Sequence, residues 1–244
     1  MDFLEFRQAT EQIFTANPQL PTPNAEQTEK LWTLCRSLIE TNKIMNLTAI
    51  TEEKAVILRH FADSLGVSAY IPYGARIADI GCGAGFPTLP LAIFRPDLQI
   101  LAVDSTAKRI SYVSDTARSL GLENVMALAQ RAEVLGNDAA YRESFDVVTA
   151  RAVAALPVLA ELCLPLVKAG GSFVAMKSQK ASQEIEEASS AIAKCGGKLE
   201  KAEETALLSP YFPAEVRTYV LINKCAHTPK EFPRHFSKIS KKPL

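Results

Sequence analysis

The stretch that decides the fold is Ala75-Arg-Ile-Ala-Asp-Ile-Gly-Cys-Gly-Ala-Gly-Phe-Pro87. A short apolar strand pattern runs into three glycines at alternate positions, and an apolar, helix-like run from Leu89 to Phe94 follows. Glycine permits left-handed dihedrals and close approach to a ligand, and proline suits the first turn of a helix. The stretch therefore predicts a strand, a tight loop and a helix start, where α/β proteins hold nucleotide-like ligands.

Strands and helices alternate after this loop. Five strands are predicted at 77–80, 99–103, 125–129, 146–150 and 172–176. Helical stretches such as 108–120 and 181–195 separate them, which favours a parallel sheet covered on both faces. Two further strands, 198–207 and 216–224, have no helix between them and should be antiparallel. This α/β arrangement of five parallel strands plus an antiparallel terminal pair is similar to the class I S-adenosylmethionine (SAM) methyltransferase fold and differs from a dinucleotide-binding Rossmann domain.

The chain before the loop is predicted to be helical. Asn24 and Gln27 have capping-box spacing, and a second helix starts near Thr51 and ends near Gly66. We therefore expect a helical extension at 1–70, a SAM-dependent methyltransferase core at 71–228 and a basic tail at 229–244. The basic residues of the tail, set against the single acid Glu231, are Lys230, Arg234, His235, Lys238, Lys241 and Lys242.

Composition excludes several classes of protein. The 244 residues carry a formal net charge of zero, so a nucleic-acid site must be a local basic patch. Five scattered cysteines without a Cys-x-x-Cys pair, and three histidines without ligand spacing, argue against disulfides and a metal site. The N-terminus lacks a signal-peptide pattern, and no apolar run is long enough for a bilayer. We expect a cytoplasmic, monomeric protein with no membrane contact.

Acids near the glycine loop indicate an adenosine-containing ligand. Asp104 ends the second strand, where a carboxylate can accept hydrogen bonds from ribose hydroxyls. SAM and NAD both carry that ribose, although Phe86 occupies the position of the third glycine of a dinucleotide fingerprint. Asp79 has two interpretations, in which it orients the loop or faces the cationic end of SAM. Glu133 follows the third strand, at the adenine edge of a doubly wound sheet.

Further polar residues follow the fourth and fifth strands or lie in the helical extension. Arg151 interrupts an apolar segment after strand four, which favours a role in the site. Arg59 and Asp63 are four residues apart and can pair on a helix surface. The alternative is that this polar helix face, together with Asn46, serves the substrate.

Seven segments together carry a resemblance to a known family. They are Asn46-Leu-Thr-Ala-Ile50, Arg59-His-Phe-Ala-Asp-Ser-Leu65, Asp79 to Pro87, Ala102-Val-Asp-Ser105 with Lys108-Arg109, Phe145-Asp-Val-Val-Thr-Ala-Arg151, Ala175-Met-Lys177, and Phe232-Pro-Arg234 with Lys241-Lys-Pro-Leu244. On these residues the chain resembles the bacterial glucose-inhibited division protein B family, guanine-N7 methyltransferases of small-subunit (16S) ribosomal RNA. Cys82, Thr88 and the tail segment Phe236-Ser-Lys-Ile depart from the family pattern, where a small residue, a glycine and a Gly-x-Pro stretch are common.

The resemblance implies a SAM-dependent enzyme that acts on 16S rRNA or the small ribosomal subunit. The cofactor-binding residues that we predict are Asp79, Gly81, Gly83, Phe86, Asp104, Ser105, Thr106, Ala132, Glu133 and Arg151. Arg151, Asn46 and His60 are predicted to act at the reaction centre. The RNA-binding residues that we predict are Lys177, Lys180, Arg234 and Lys241.

The chemistry of the expected target limits what the site must contain. N7 of guanine carries a free lone pair and no proton, so methyl transfer needs placement of the reactants and neither a general base nor a metal. The target base must leave its stack to reach the pocket. Two alternatives stay open at this point: a non-catalytic RNA-binding or ribosome-assembly protein on the same fold, and an NAD-dependent oxidoreductase.

Overall fold

The structure, a computed structural model, describes residues 1–178 and 181–244. The helices are α1 (Phe3–Ala16), α2 (Ala25–Met45), α3 (Glu53–Val56), α4 (Asp63–Gly66), α5 (Thr88–Phe94), α6 (Ala107–Ser119), α7 (Ala132–Leu135), α8 (Leu156–Cys163), α9 (Ala181–Lys194) and α10 (Phe236–Lys241). The strands are β1 (Arg76–Ile80), β2 (Gln99–Asp104), β3 (Val125–Ala129), β4 (Phe145–Arg151), β5 (Val167–Lys177), β6 (Gly197–Leu207) and β7 (Glu215–Lys224).

The described residues form one seven-stranded sheet in the order β3-β2-β1-β4-β5-β7-β6. Strands β1 to β5 are parallel to one another, whereas β7 pairs antiparallel with both β5 and β6. The predicted fold class is therefore confirmed. The strand order reverses between β1 and β4, which places a crevice above the carboxyl ends of these two strands.

Successive strand residues point alternately into two hydrophobic cores, one on each face of the sheet. Ile77 and Ile100 face a core that includes α1, α2, α5 and α6, while their neighbours Ala78 and Leu101 face a second core with α8, α9 and α10. A side chain changes face at each step along a strand, so apolar residues at successive positions require cover on both sides. The helices before β1 thus share the first core with the sheet. The predicted domain limits at 70/71 and 228/229 stay predictions.

Local signals place the helices of the N-terminal region. Asn24 and Gln27 form the predicted reciprocal capping box at the start of α2, and a second box, formed by Asp2 and Glu5, starts α1. Between α3 and α4 the chain forms a π-helical stretch, Ile57–Ala62. This wider stretch carries Arg59 and His60 toward the sheet, and such π-helical insertions are frequent at functional sites.

The C-terminal tail returns to the second core. Phe232 and Ile239 are buried there, and the side chain of Asn137, just after α7, donates a hydrogen bond to the carbonyl of Pro233 at 3.0 Å. The tail is thereby held beside α7 and α8. Among the helices that the structure describes, none has the length and apolarity needed to cross a membrane.

Candidate active site

Two adjoining cavities open at the carboxyl end of the parallel strands. The first, the glycine cleft, has a volume of about 300 Å³ and is lined by residues that include Gly81, Asp104 and Glu133. The second, the arginine pocket, has a volume of about 640 Å³, and its walls include Arg59, His60, Asp63, Arg151 and Arg217. Ala152 and Val153 line both cavities, so the two spaces meet at the end of β4.

A third cavity, of about 740 Å³, lies at the other end of the sheet. Its lining includes Arg76, Gln99 and Val125, the first residues of β1, β2 and β3. Ligands of open α/β sheets bind outside the carboxyl ends of the strands. The glycine cleft and the arginine pocket, although individually smaller, are therefore the candidate site.

The glycine loop is folded against β2. The amides of Gly81 and Cys82 both donate to the carbonyl of Val103, at 2.8 and 3.0 Å. Gly81, Gly83 and Gly85 all have positive φ, between 56° and 87°, a conformation that glycine adopts without steric cost. The loop therefore brings backbone without side chains to the edge of the cleft. Pro87 directly precedes the first residue of α5.

Replacing Gly81 with alanine should weaken cofactor binding about tenfold and lower the free energy of unfolding by about 1–3 kcal/mol. The new Cβ would overlap the side chain of Val153, which lines both cavities. Gly121→Ala is the matched control, because Gly121 has a similar φ of 65° and a Cβ there would meet no described atom within 4 Å. Calorimetry and urea denaturation measure both effects. Equal losses in the two variants would contradict the prediction.

Asp104 ties the glycine loop to the start of α6. Its carboxylate accepts hydrogen bonds from the amides of Gly83, at 3.1 Å, and Thr106, at 2.8 Å. The guanidinium of Arg109 lies 3.6 Å from the same carboxylate. Ser105 lines the cleft beside it, whereas Gly83 and Thr106 contribute their backbone amides to Asp104. The predicted ribose-binding acid therefore faces the cleft and also orders its rim.

Glu133 supplies the clearest sign that the glycine cleft is built for a ligand. Its side chain is buried at the start of α7, and its Oε1 has no hydrogen-bond partner in the part of the chain that the structure describes. A buried, unpaired carboxylate oxygen is costly unless a donor arrives. The adenine amino group is such a donor, and Ala132 lies next to Glu133 in the lining. The residues present therefore fit an adenosine cofactor.

Asp79 does not line the glycine cleft. Its fully buried carboxylate accepts hydrogen bonds from the hydroxyls of Thr88, at 2.7 Å, and Thr149, at 3.2 Å. These bonds join β1 to β4 and to the first residue of α5. The interpretation in which Asp79 orients the loop fits this geometry, and the one in which it faces the cofactor does not.

Replacing Asp79 with asparagine should stabilise the protein at neutral and alkaline pH. Burial raises the pKa of Asp79 from 3.8 to about 6. The folded protein therefore holds the protonated carboxyl more readily than the ionised one, and stability falls as the pH rises from about 4 through 6. Asparagine cannot ionise, so the gain should grow between pH 4 and 6 and reach up to about 3 kcal/mol above it, at about 1.4 kcal/mol per pKa unit.

Urea denaturation at pH 4, 6 and 8 measures this gain. Asp115→Asn, an exposed position on α6, is the control and should show no such trend. A loss of stability in Asp79→Asn that is equal at all three pH values would contradict the prediction.

Ion pairs in the arginine pocket link β4, α4 and β7. Asp63 accepts from Arg151 at 2.8 Å and from Arg217 at 2.9 Å. Arg217 also pairs with Glu215, which in turn pairs with Arg59 at 2.6 Å. The interpretation in which Arg59 and Asp63 pair with each other on a helix surface is therefore wrong. Arg151 and Arg217 contact Asp63 instead, and Arg59 pairs with Glu215 of β7.

His60 lies neutral between the helices and the glycine loop. Its ring stacks on Phe86 with centroids 4.4 Å apart and an angle of 5°. Nδ1 accepts from Arg151 at 3.3 Å, so Nε2 carries the proton and donates to the Thr48 hydroxyl at 2.9 Å. Burial, and then the charge of Arg151, lower the pKa of His60 to about 3. Phe86, under this ring, is buried and does not line the glycine cleft.

The remaining predicted residues have diverse surroundings. Asn46 ends α2 in a left-handed conformation and is exposed, outside the lining of the arginine pocket. Lys177 pairs with Glu184 at 2.7 Å and donates to the carbonyl of Ala154, so its charge is compensated inside the arginine pocket. Lys180 lies outside the described residues.

The two tail residues that we predict to bind RNA, Arg234 and Lys241, have different surroundings. Arg234 makes a bidentate contact, at 2.8 and 2.6 Å, with the fully buried carboxylate of Glu161. Lys241, at the end of α10, is exposed. The RNA-binding prediction is therefore better supported by the surroundings of Lys241 than by those of Arg234.

The structure adds residues that the sequence patterns did not select. Arg217 and Glu215 reach the arginine pocket network from β7, and Arg109 and Phe236 line the glycine cleft. Arg109 carried a signal, since it belongs to the Lys108-Arg109 segment after Asp104. Glu215 and Arg217 lie at the start of β7, 156 and 154 residues from their partners Arg59 and Asp63, so no local pattern marks them.

Comparisons with known proteins agree with this geometry. A family model described as rRNA small subunit methyltransferase G (GidB) matches residues 27–207. The chain is 44% identical over 237 residues to the ribosomal RNA small subunit methyltransferase G of Staphylococcus epidermidis, with 96% of each chain covered. It is 46% identical over 232 residues to the protein of the same name from Staphylococcus aureus, with 93% of this chain and 95% of that one covered.

Solved structures support the fold. A SAM-dependent O-methyltransferase from Thermotoga maritima superposes with a TM-score of 0.50 at 15% identity, over 79% of this chain and 73% of that one. TYW2 from M. jannaschii, in complex with AdoMet, gives a TM-score of 0.51 at 18% identity, over 64% and 72%.

The sequence relatives, the sheet order and the glycine cleft agree on one cofactor and one class of reaction. The protein is a SAM-dependent methyltransferase, and the NAD-dependent and non-catalytic alternatives are not supported. The chain belongs to the rRNA small subunit methyltransferase G family, whose model matches residues 27–207 and whose staphylococcal members match nearly the whole chain.

Proposed function

We propose that the protein methylates N7 of a guanine in 16S ribosomal RNA of the small subunit. The observation that carries the proposal is the junction of the two cavities at Ala152 and Val153. A base held in the arginine pocket adjoins a cofactor held in the glycine cleft. Ala152 itself has a φ of 56°, an unfavourable conformation for alanine that is common where function constrains the backbone.

The groups around the arginine pocket suit a reaction that needs no proton acceptor. When bound, SAM supplies a methyl group on a cationic sulfur. His60, with its pKa of about 3, is neutral at pH 7 and already donates its proton to Thr48. Asp63 and Glu184 are held in ion pairs with Arg151 and Lys177. N7 of guanine presents a free lone pair, so placement of the reactants supplies the rate acceleration.

Arg151 is the residue that we propose to recognise the guanine edge. Arginine is a common donor to the O6 and N7 acceptors of guanine, and N7 must stay free for methylation. We therefore assign Arg151 to O6, with Asp63 and His60 fixing the orientation of its guanidinium. The His60 ring, supported by Phe86, offers a flat face for an unstacked base.

The RNA backbone needs a local cationic surface because the whole chain is neutral. Lys238, Lys241 and Lys242 are exposed on and after α10, whose first residue, Phe236, lines the glycine cleft. Contacts of this kind bind phosphates without reading sequence. Monomeric action in the cytoplasm, expected from the sequence, belongs to the same proposal.

The test is methylation in vitro followed by mapping of the modified base. The protein is incubated with methyl-labelled SAM and either naked 16S rRNA or small subunits from cells that lack the gene. Borohydride reduction and aniline treatment cleave RNA at N7-methylguanosine, and primer extension locates the break. We expect a single break that depends on both protein and SAM. Label at another atom, or label without cleavage, would refute the N7 assignment.

A further inference from the structure

Phe236 is the large aromatic residue of the tail that faces the glycine cleft. It is the first residue of α10 and one of the lining residues of the cleft, together with Ala132, Glu133 and Leu162. Its side chain is 36% exposed, although large apolar side chains nearby in the tail are buried. This ring therefore lies at the boundary between the protein surface and the cofactor cavity.

The exposure of Phe236 does not come from a loosely attached tail. Arg234, two residues before it, is bound to the buried Glu161 of α8 by three hydrogen bonds, one from its backbone amide and two from its guanidinium. Ile239, three residues after it, is fully buried in the second core. Between these two anchors the position of the Phe236 ring is set by the fold.

The tail reaches the end of the cleft where Glu133 lies. Pro233 packs against Gly136, so close that a Cβ at Gly136 would come within 2.9 Å of the proline ring. Asn137 donates both to the carbonyl of Glu133, at 2.9 Å, and to that of Pro233, at 3.0 Å. One amide side chain thus ties the tail to α7, the helix that carries Ala132 and Glu133.

We propose that Phe236 is a cofactor-binding residue that covers the adenine of bound SAM and makes the C-terminal tail a wall of the cofactor site. An aromatic ring that lines the same cleft as the unpaired Oε1 of Glu133 supplies the apolar contact that a nucleobase requires, and each such contact is energetically substantial. The inference goes beyond the proposed function, since it concerns retention of the cofactor and not the RNA base.

A consequence is that the tail and the cofactor stabilise each other. If SAM binds against Phe236, it must favour the docked tail, and the coupling is reciprocal. α10 also carries the exposed Lys238 and Lys241. Phosphate contacts of these lysines are then linked to cofactor binding through the same short helix.

The first experiment measures SAM and S-adenosylhomocysteine binding to the full-length apoprotein by calorimetry. Phe236→Ala should weaken binding of both about tenfold, and Phe236→Trp should retain the affinity because it keeps an aromatic face. Ser240→Ala, at an exposed position on the same helix and outside the lysines assigned to RNA, is the matched control and should bind as the wild type does. Equal affinity of Phe236→Ala and wild type would overturn the inference.

The second experiment needs no variant and covers the case in which Phe236→Ala lowers the melting temperature. Trypsin can cleave after Lys238, within α10, and mass spectrometry follows the loss of the last six residues. Saturating S-adenosylhomocysteine should slow this cleavage at least fivefold in the wild type. An unchanged rate would overturn the inference. Failure of the wild type to bind SAM at all would instead contradict the cofactor assignment.

Discussion

Replacing Asp63 with alanine should lower the free energy of unfolding by about 3–5 kcal/mol. The carboxylate is buried and accepts from two arginines, Arg151 and Arg217, that reach it from different strands. Removing the carboxylate leaves the two guanidinium groups close together without the negative charge that compensates them. Breaking a buried ion pair from one side is costly because the remaining charge has lost its solvent and its partner.

Urea denaturation at pH 7 and 25 °C measures this loss. The control is Asp115→Ala, which removes an exposed partner of Arg118 in a helical pair with both side chains more than two-thirds exposed. That change should alter stability by less than about 1 kcal/mol. Asp63→Asn, which keeps one acceptor oxygen, should lie between the two. A loss below about 1 kcal/mol in Asp63→Ala would show that solvent screens the arginine pocket network.

Replacing Arg151 with leucine should lower kcat for RNA methylation about 100- to 1,000-fold, the range found when a placed electrostatic group is removed from an active site. Arg151 lines the arginine pocket, where the proposed substrate base lies, and not the glycine cleft. The affinity for SAM should therefore change less than about threefold, by the same reasoning. Asp63 keeps Arg217 as a partner, so the variant should fold.

Single-turnover methylation and calorimetry separate these two effects. Arg151→Lys should also be impaired, because one ammonium group cannot reach Asp63, the Arg59 carbonyl and His60 in a fixed plane as the guanidinium does. Arg118→Leu on the exposed face of α6 is the control. A variant of Arg151 with normal kcat and weak SAM binding would move the residue from the substrate side to the cofactor side, as the resemblance had implied.

Local sequence patterns predicted features whose partners lie close along the chain. The capping box of Asn24 and Gln27 closes over three residues and was confirmed. The glycine loop was predicted from the residues between β1 and α5, and its three glycines have positive φ. The absence of a helix between β6 and β7 predicted their antiparallel pairing, which the register confirms.

Local sequence patterns did not predict the contacts between distant segments. Arg59 and Asp63 have the spacing of a helical ion pair, yet Glu215 lies 156 residues from Arg59 and Arg217 lies 154 residues from Asp63. Lys177 and Arg234 appeared as candidate RNA contacts, but Glu184 and Glu161 compensate their charges. Phe236 drew notice only as a departure from a family pattern.

The amino-acid sequence by itself determined the α/β class, the five parallel strands with an antiparallel terminal pair, the glycine loop and the family. These follow from periodicity, turn chemistry and motif order, which act over a few residues at a time. Only the tertiary structure decided which charges meet at Asp63, where Asp79 points and which residue of the tail lines the glycine cleft. Those outcomes depend on how the sheet and its two cores bring remote segments into contact, and no local pattern encodes such distances.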